Sequence, residues 1–130
     1  MTIDHIGYAV RRMDRALSAF MTLGYTFGPL VEDVDRNIKI CFGQKDGYRI
    51  ELVCPLDRKQ ESPVDIYLKN VGPVPYHICY TSDCLEEDIE DLQRKGFRLV
   101  IPPAGAVAFG GRRVAFLSSL GLGLMEIVEI

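Results

Sequence analysis

Long basic runs are missing from this chain of 130 residues: the longest are the pairs Arg11-Arg12 and Arg112-Arg113. Fifteen Lys and Arg stand against eighteen Asp and Glu, a formal net charge of −3. Neutralising the phosphates of a nucleic acid needs a concentrated basic face, so nucleic acid is not an expected partner. Long apolar runs are missing too, and no window approaches the ~20 residues of a membrane span. Asp4 and His5 occupy the place where a secretory leader would need a basic start and an apolar stretch. A soluble, cytoplasmic protein with no membrane partner is expected. The four cysteines, Cys41, Cys54, Cys79 and Cys84, form no CxxC pair, and three of them lie in apolar strand-like runs. They are expected as buried free thiols rather than as a disulfide or a thiolate metal site.

Hydrophobic residues make up 48% of the chain and charged residues 25%, which is ordinary for a globular domain. Folding a chain of this length buries roughly two thirds of the unfolded surface, enough for a core without staples.

The chain also repeats itself. IDHIGYAV (Ile3 to Val10) matches PYHICYTS (Pro75 to Ser82), with His5 on His77 at a shift of 72 residues, and Gly24 falls on Gly96 at the same shift. IKICF (Ile38 to Phe42) matches RVAFL (Arg113 to Leu117) at a shift of 75, as RIELV (Arg49 to Val53) matches LMEIV (Leu124 to Val128) and places Glu51 on Glu126. Each half opens with a β-branched and aromatic run, followed by helical spacing: Met13, Leu17, Phe20 and Met21 in one, Leu85, Ile89 and Leu92 in the other. Asp83 is the expected N-cap of the second helix. Gly24 and Gly96 are placed to end the two helices. Three strands follow in each half, the last two joined by turns at Gly43 to Gly47 and Ser118 to Gly123.

The reading is α+β: paired βαβββ modules at about 1–55 and 74–130, joined by a proline-bounded linker at about 56–73. Each half has too few strands to cover its own face, so a single pseudo-twofold domain is expected, its curved mixed sheet enclosing a central cavity.

Strand alternation puts His5, Glu51, His77 and Glu126 on the faces turned away from the helices. Paired around a pseudo-twofold axis, they would converge. A lone His or Glu in a strand is usually a satisfied core or surface residue, but four at matching repeat positions form a pattern. Left alone in a pocket, two carboxylates would be costly, since like charge and desolvation both disfavour ionisation. A divalent cation removes that cost, and imidazole plus carboxylate suits Co, Ni, Zn or Mn with positions left for water or substrate. Only two histidines are present and both are used here, so no Ser or Cys nucleophile constellation is expected.

IDHIGYAV, YRIELVCPL, PYHICYTSD, GGRRVAFL and LMEIVEI together resemble the signature strands of the vicinal oxygen chelate superfamily, which includes glyoxalase I, methylmalonyl-CoA epimerase, extradiol dioxygenases and metal-free antibiotic-binding proteins. The resemblance covers nearly the whole chain. It implies paired βαβββ modules and one divalent ion held by His5, Glu51, His77 and Glu126. Epimerases are the most similar in the strand passages, although they usually carry Gln at the second ligand position, where Glu51 resembles glyoxalase I.

The chemistry expected is proton removal next to a carbonyl, through an enediolate stabilised by the ion. Glu126 is the first choice as ligand and base, with Glu51 returning the proton. Asp35 aligns with a further acid of the epimerases. Arg112 and Arg113 are placed to meet the carboxylate or phosphates of an acyl-CoA. The implied substrate is an acyl-CoA or a hemithioacetal, and the implied assembly a homodimer. The alternatives are a glyoxalase I-like lactoylglutathione lyase and a metal-free, resistance-type binding protein. A dioxygenase wants two His and one carboxylate, so a fourth ligand argues against it.

Overall fold

A computed structural model describes the whole chain, Met1–Ile130. It is α+β, with eight strands, three α-helices and one short 3₁₀ turn. The chain divides into two compact units, one of His5–Tyr76 and the other of Met1–Asp4 with His77–Ile130.

The first unit contains most of β1 (Ile3–Ala9), then α1 (Met13–Thr22), β2 (Thr26–Asp33), β3 (Ile38–Lys45), β4 (Tyr48–Pro55) and α2 (Asp65–Asn70). Its strands run in the order β2-β3-β4-β1, antiparallel except for the parallel pair β1 and β4. In the second unit come most of β5 (Val74–Ser82), then α3 (Leu85–Arg94), β6 (Arg98–Gly105), the 3₁₀ turn Val107–Phe109, β7 (Arg113–Ser119) and β8 (Gly123–Glu129). Here the order is β5-β8-β7-β6, again with the first and last strands of the module, β5 and β8, parallel.

Both units build their cores in the same way. In the first, Val10, Met13, Cys41, Ile50, Leu52 and Cys54 are buried, with Ile6, Tyr8, Leu17 and Phe20 packed on them. In the second, Leu85, Ile89, Ala115, Leu117, Met125 and Ile127 form the core under Tyr80 and Leu92. Fully burying one such side chain is worth about 1.5–3 kcal/mol, so each helix is held mainly by its apolar face. Met21 is the exception to the expected stripe, since at the end of α1 it is exposed.

Each helix stops at a glycine in the left-handed region, Gly24 at φ +97° and Gly96 at +96°, where any side chain would be strained. At the start of α3 the N-cap is Cys84, not Asp83, and no side chain caps it directly. Ser82 does the related work one step earlier: its hydroxyl accepts the Cys84 N–H at 3.2 Å and bonds the Asp88 carboxylate at 2.5 Å.

The ladders correct one repeat pairing. Phe42 lies opposite Glu51 and Phe116 opposite Glu126, so Phe42 corresponds to Phe116, a shift of 74, and not to Leu117. A one-residue slip exchanges the two faces of a strand, and Leu117 is indeed in the core. The extra residue of the later shift sits in the hairpin turns. Lys45 pairs with Tyr48 in the first unit, whereas Ser119 pairs with Gly123 in the second.

The strands that begin and end with irregularity, β2 and β6, carry register shifts next to Pro29 and Pro102-Pro103, which a central strand would not tolerate.

Candidate functional site

Each unit presents one buried imidazole and one buried carboxylate on the strand face turned away from its helix. In the first, His5 comes from β1 and Glu51 from β4, with Gly7 as the ladder partner of Glu51. His5 Nε2 stands 3.7 Å from Glu51 Oε2, and the two side chains are 0% and 5% exposed. In the second, His77 comes from β5 and Glu126 from β8, with Cys79 as the ladder partner of Glu126. His77 Nε2 stands 3.1 Å from Glu126 Oε2, with the same exposures of 0% and 5%.

These pairs can be tested against a metal. Donors about 2.1 Å from one ion, at angles between a right angle and a tetrahedral one, stand about 3.0–3.4 Å apart. The second pair meets that separation as it stands, and the first is wider by a few tenths of an ångström, which a small side-chain rotation closes. The donor set, a neutral-capable imidazole beside a carboxylate, also suits first-row divalent ions. Burial adds a further argument, because a carboxylate removed from water costs several kcal/mol unless a cation offsets it. Each unit therefore carries an imidazole and a carboxylate able to coordinate a divalent ion.

A supporting aromatic was not anticipated from the sequence. His5 meets Phe42 edge-on, with centroids 5.5 Å apart at 79°, and His77 meets Phe116 in the same way at 5.6 Å and 89°. In each unit the same phenylalanine is the ladder partner of the glutamate. The ring therefore fixes the imidazole plane while walling the carboxylate from one side. Alternation on β3 and β7 could have found both residues, had the register been right.

The remaining candidates are placed less favourably for chemistry. Asp35 is exposed in the turn between β2 and β3. The buried acid of that segment is Asp33, whose carboxylate accepts the Arg36 backbone N–H at 3.1 Å and pairs with Arg36 Nη1 at 2.9 Å, so it holds the turn. Arg113 lies on the helix-covered face with Ala115 and Leu117. Its guanidinium is taken by Glu129, at 3.0 and 2.6 Å, and by Glu86 at 2.6 Å. Arg113, expected to meet an acyl-CoA, is thus bonded to carboxylates of its own unit, and Glu129, on the face opposite Glu126, is its main partner. Arg112 is exposed beside the 3₁₀ turn, its Nε donating to the Phe109 carbonyl at 3.1 Å.

The cation that does share a face with a site carboxylate is Arg49, two residues before Glu51 on β4. Its guanidinium carbon lies 4.0 Å from the centroid of the Phe42 ring. The signal was available in the sequence as the i, i+2 spacing to Glu51.

The protein family described as the Glyoxalase/Bleomycin resistance protein/Dioxygenase superfamily matches residues 4–116. The chain belongs to that superfamily. The uncharacterized protein YqjC of Bacillus subtilis (strain 168) is 30% identical over 119 residues, covering 89% of this chain and 81% of that protein. Among solved structures, the hypothetical protein BH1468 of Bacillus halodurans C-125 is similar over 99% of this chain and 94% of its own, at 27% identity and a TM-score of 0.86. Methylmalonyl-CoA epimerase from Mycobacterium tuberculosis is similar over 98% of this chain and 87% of its own, at 26% identity and a TM-score of 0.83. No helix is long and apolar enough to cross a membrane.

Proposed function

We propose that the protein is a metal-dependent isomerase of the epimerase type, removing and returning a proton next to a carbonyl, with His5, Glu51, His77 and Glu126 as ligands of one divalent ion, Co, Ni, Zn or Mn. The observation that carries this reading is the recurrence, at the same position of both repeats, of a buried imidazole and carboxylate within coordinating reach of each other. Similarity to a methylmalonyl-CoA epimerase supports the reaction class and an acyl-CoA substrate.

The bound ion would supply Lewis-acid polarisation of the substrate carbonyl and stabilise the negative charge that develops on its oxygen. The chain supplies the rest. Glu126 takes the proton from the carbon next to the carbonyl, its low exposure keeping competing water away, and Phe116 and His77 hold the carboxylate's neighbourhood rigid. Glu51, equally buried, returns the proton on the other side.

One observation favours a second reading. Glu51 stands where the epimerases usually have Gln, and a carboxylate there fits a glyoxalase I-like lyase acting on a hemithioacetal. A metal-free, resistance-type role is disfavoured by two buried carboxylates. Under either enzyme reading we place the protein in the cytoplasm as a homodimer, a compartment consistent with its four free thiols.

The test is solvent exchange. In D₂O the protein should wash deuterium into the α-carbon of methylmalonyl-CoA, or of a hemithioacetal under the second reading, and Glu126→Gln should slow that by about 10²–10⁴-fold, the usual contribution of a positioned base. Protein loaded with metal that exchanges neither substrate would refute both.

A further inference from the structure

We propose that Arg49 is the anion receptor of the reacting face, binding a carboxylate or phosphate oxyanion of the substrate in the cavity beside Phe42. This rests on the reading of the His5 and Glu51 face as the reacting one.

Arg49 precedes Glu51 by two residues on β4, so strand alternation puts both side chains on one face. Its guanidinium stacks on Phe42 at 4.0 Å. That ring is the ladder partner of Glu51 and meets His5 edge-on at 5.5 Å. The cation and the imidazole therefore both contact one aromatic ring. A guanidinium held over an aromatic ring is restrained by the cation–π attraction, and its planar fork of donors is the group best suited to a bidentate oxyanion.

Beside it is a cavity of about 340 Å³, lined by Arg49 with Thr26, Phe27, Gly28, Gln44 and the Phe42 ring. The lining offers the Thr26 hydroxyl and the Gln44 amide. Its shape depends on Gly43, since a Cβ there would come within 2.4 Å of the Phe27 ring. Arg49 is half-buried, so its field is screened less than that of a surface arginine.

The repeat makes the placement informative. The position equivalent to Arg49 in the second unit is Leu124. The imidazole, carboxylate and phenylalanine recur in both halves, but the cation occurs in one. A ligand set with twofold character cannot by itself tell one end of a substrate from the other, whereas one arginine at one side can. The substrate class that fits is an acyl compound bearing an oxyanion besides the oxygens at the reacting carbon.

Calorimetry with the full-length protein tests this, using phenyl phosphate, benzoate and the neutral benzamide as probes. Wild type should bind at least one anion, more weakly as salt rises, and not benzamide. Preference between the two anions identifies phosphate or carboxylate as the group received. Arg49→Gln should weaken the anion roughly 10- to 100-fold, the effect of losing a charged hydrogen-bond partner, and Arg49→Lys should recover part of it. The metal content of Arg49→Gln should equal that of wild type. Unchanged anion affinity in a folded Arg49→Gln, or no anion binding by wild type, overturns the assignment even where metal is bound. Anion binding that depends on Arg49 in a protein that takes up no metal would sustain it and refute the functional reading instead.

Discussion

Arg113 and Glu129 face each other across β7 and β8, with Nε 3.0 Å from one carboxylate oxygen and Nη2 2.6 Å from the other. Glu86, in the first turn of α3, accepts a third bond from the same guanidinium at 2.6 Å. One arginine thereby ties the last strand and a helix of the second unit to β7.

The hydrogen bonds from Arg113 hold the Glu129 carboxyl below its ordinary value of 4.5, and the Glu86 carboxyl likewise. A depressed carboxylate contributes stability that is present above its unfolded value and lost as pH falls through the folded one. Glu129→Gln should therefore lower Tm modestly at pH 7. The gap from wild type should close as pH falls below about 4.5, and it should shrink with added salt at pH 7. Thermal melts across pH 3–7 check this.

Asn37 joins the β2–β3 turn to the segment after β4. Its Nδ2 donates toward the carbonyls of Asp57, Gln60 and Glu61 at 2.9, 3.2 and 3.1 Å, and its Oδ1 accepts the Asp57 N–H at 2.8 Å. The residue is buried and sits at φ +55°, a region that asparagine tolerates better than most. Asn37→Ala should cost about 2–4 kcal/mol, combining unsatisfied buried carbonyls with backbone strain. Asn37→Gly, which relieves only the strain, should be less damaging. Denaturant unfolding of both variants measures the difference.

The repeat, both main helices, the strand count and the faces of His5, Glu51, His77 and Glu126 were all legible in the sequence, because period two and period 3.6 are written in the apolar residues themselves. Three things were not. The β3 and β7 register depended on a hairpin one residue longer in the second unit, and turn length leaves little trace in an apolar pattern. The N-cap at Cys84 was hidden because Ser82 acts from two residues away. Arg113 reads in the sequence as a ligand-binding cation because its acids, Glu86 and Glu129, are 27 and 16 residues distant.

Cysteine reactivity follows from burial. Cys41, Cys54 and Cys79 are buried and Cys84 is exposed, and desolvation raises the thiols of Cys41 and Cys54 above 9.0. At pH 8 a disulfide reagent should modify one thiol per chain quickly and the other three only on unfolding. Cys84→Ser should abolish the fast phase.

The most direct measurement is the metal content of tag-free protein by elemental analysis, with wild type beside Glu126→Gln and His5→Gln, each verified as folded. The account expects near one divalent ion per chain in wild type and a marked loss in both variants, whose targets lie in different units. Because a carboxylate buried away from water carries a desolvation cost that a bound cation offsets, metal-free Glu126→Gln should be at least as stable as metal-free wild type. Wild type that holds no ion, even after incubation with Co, Ni, Zn or Mn, would contradict the account.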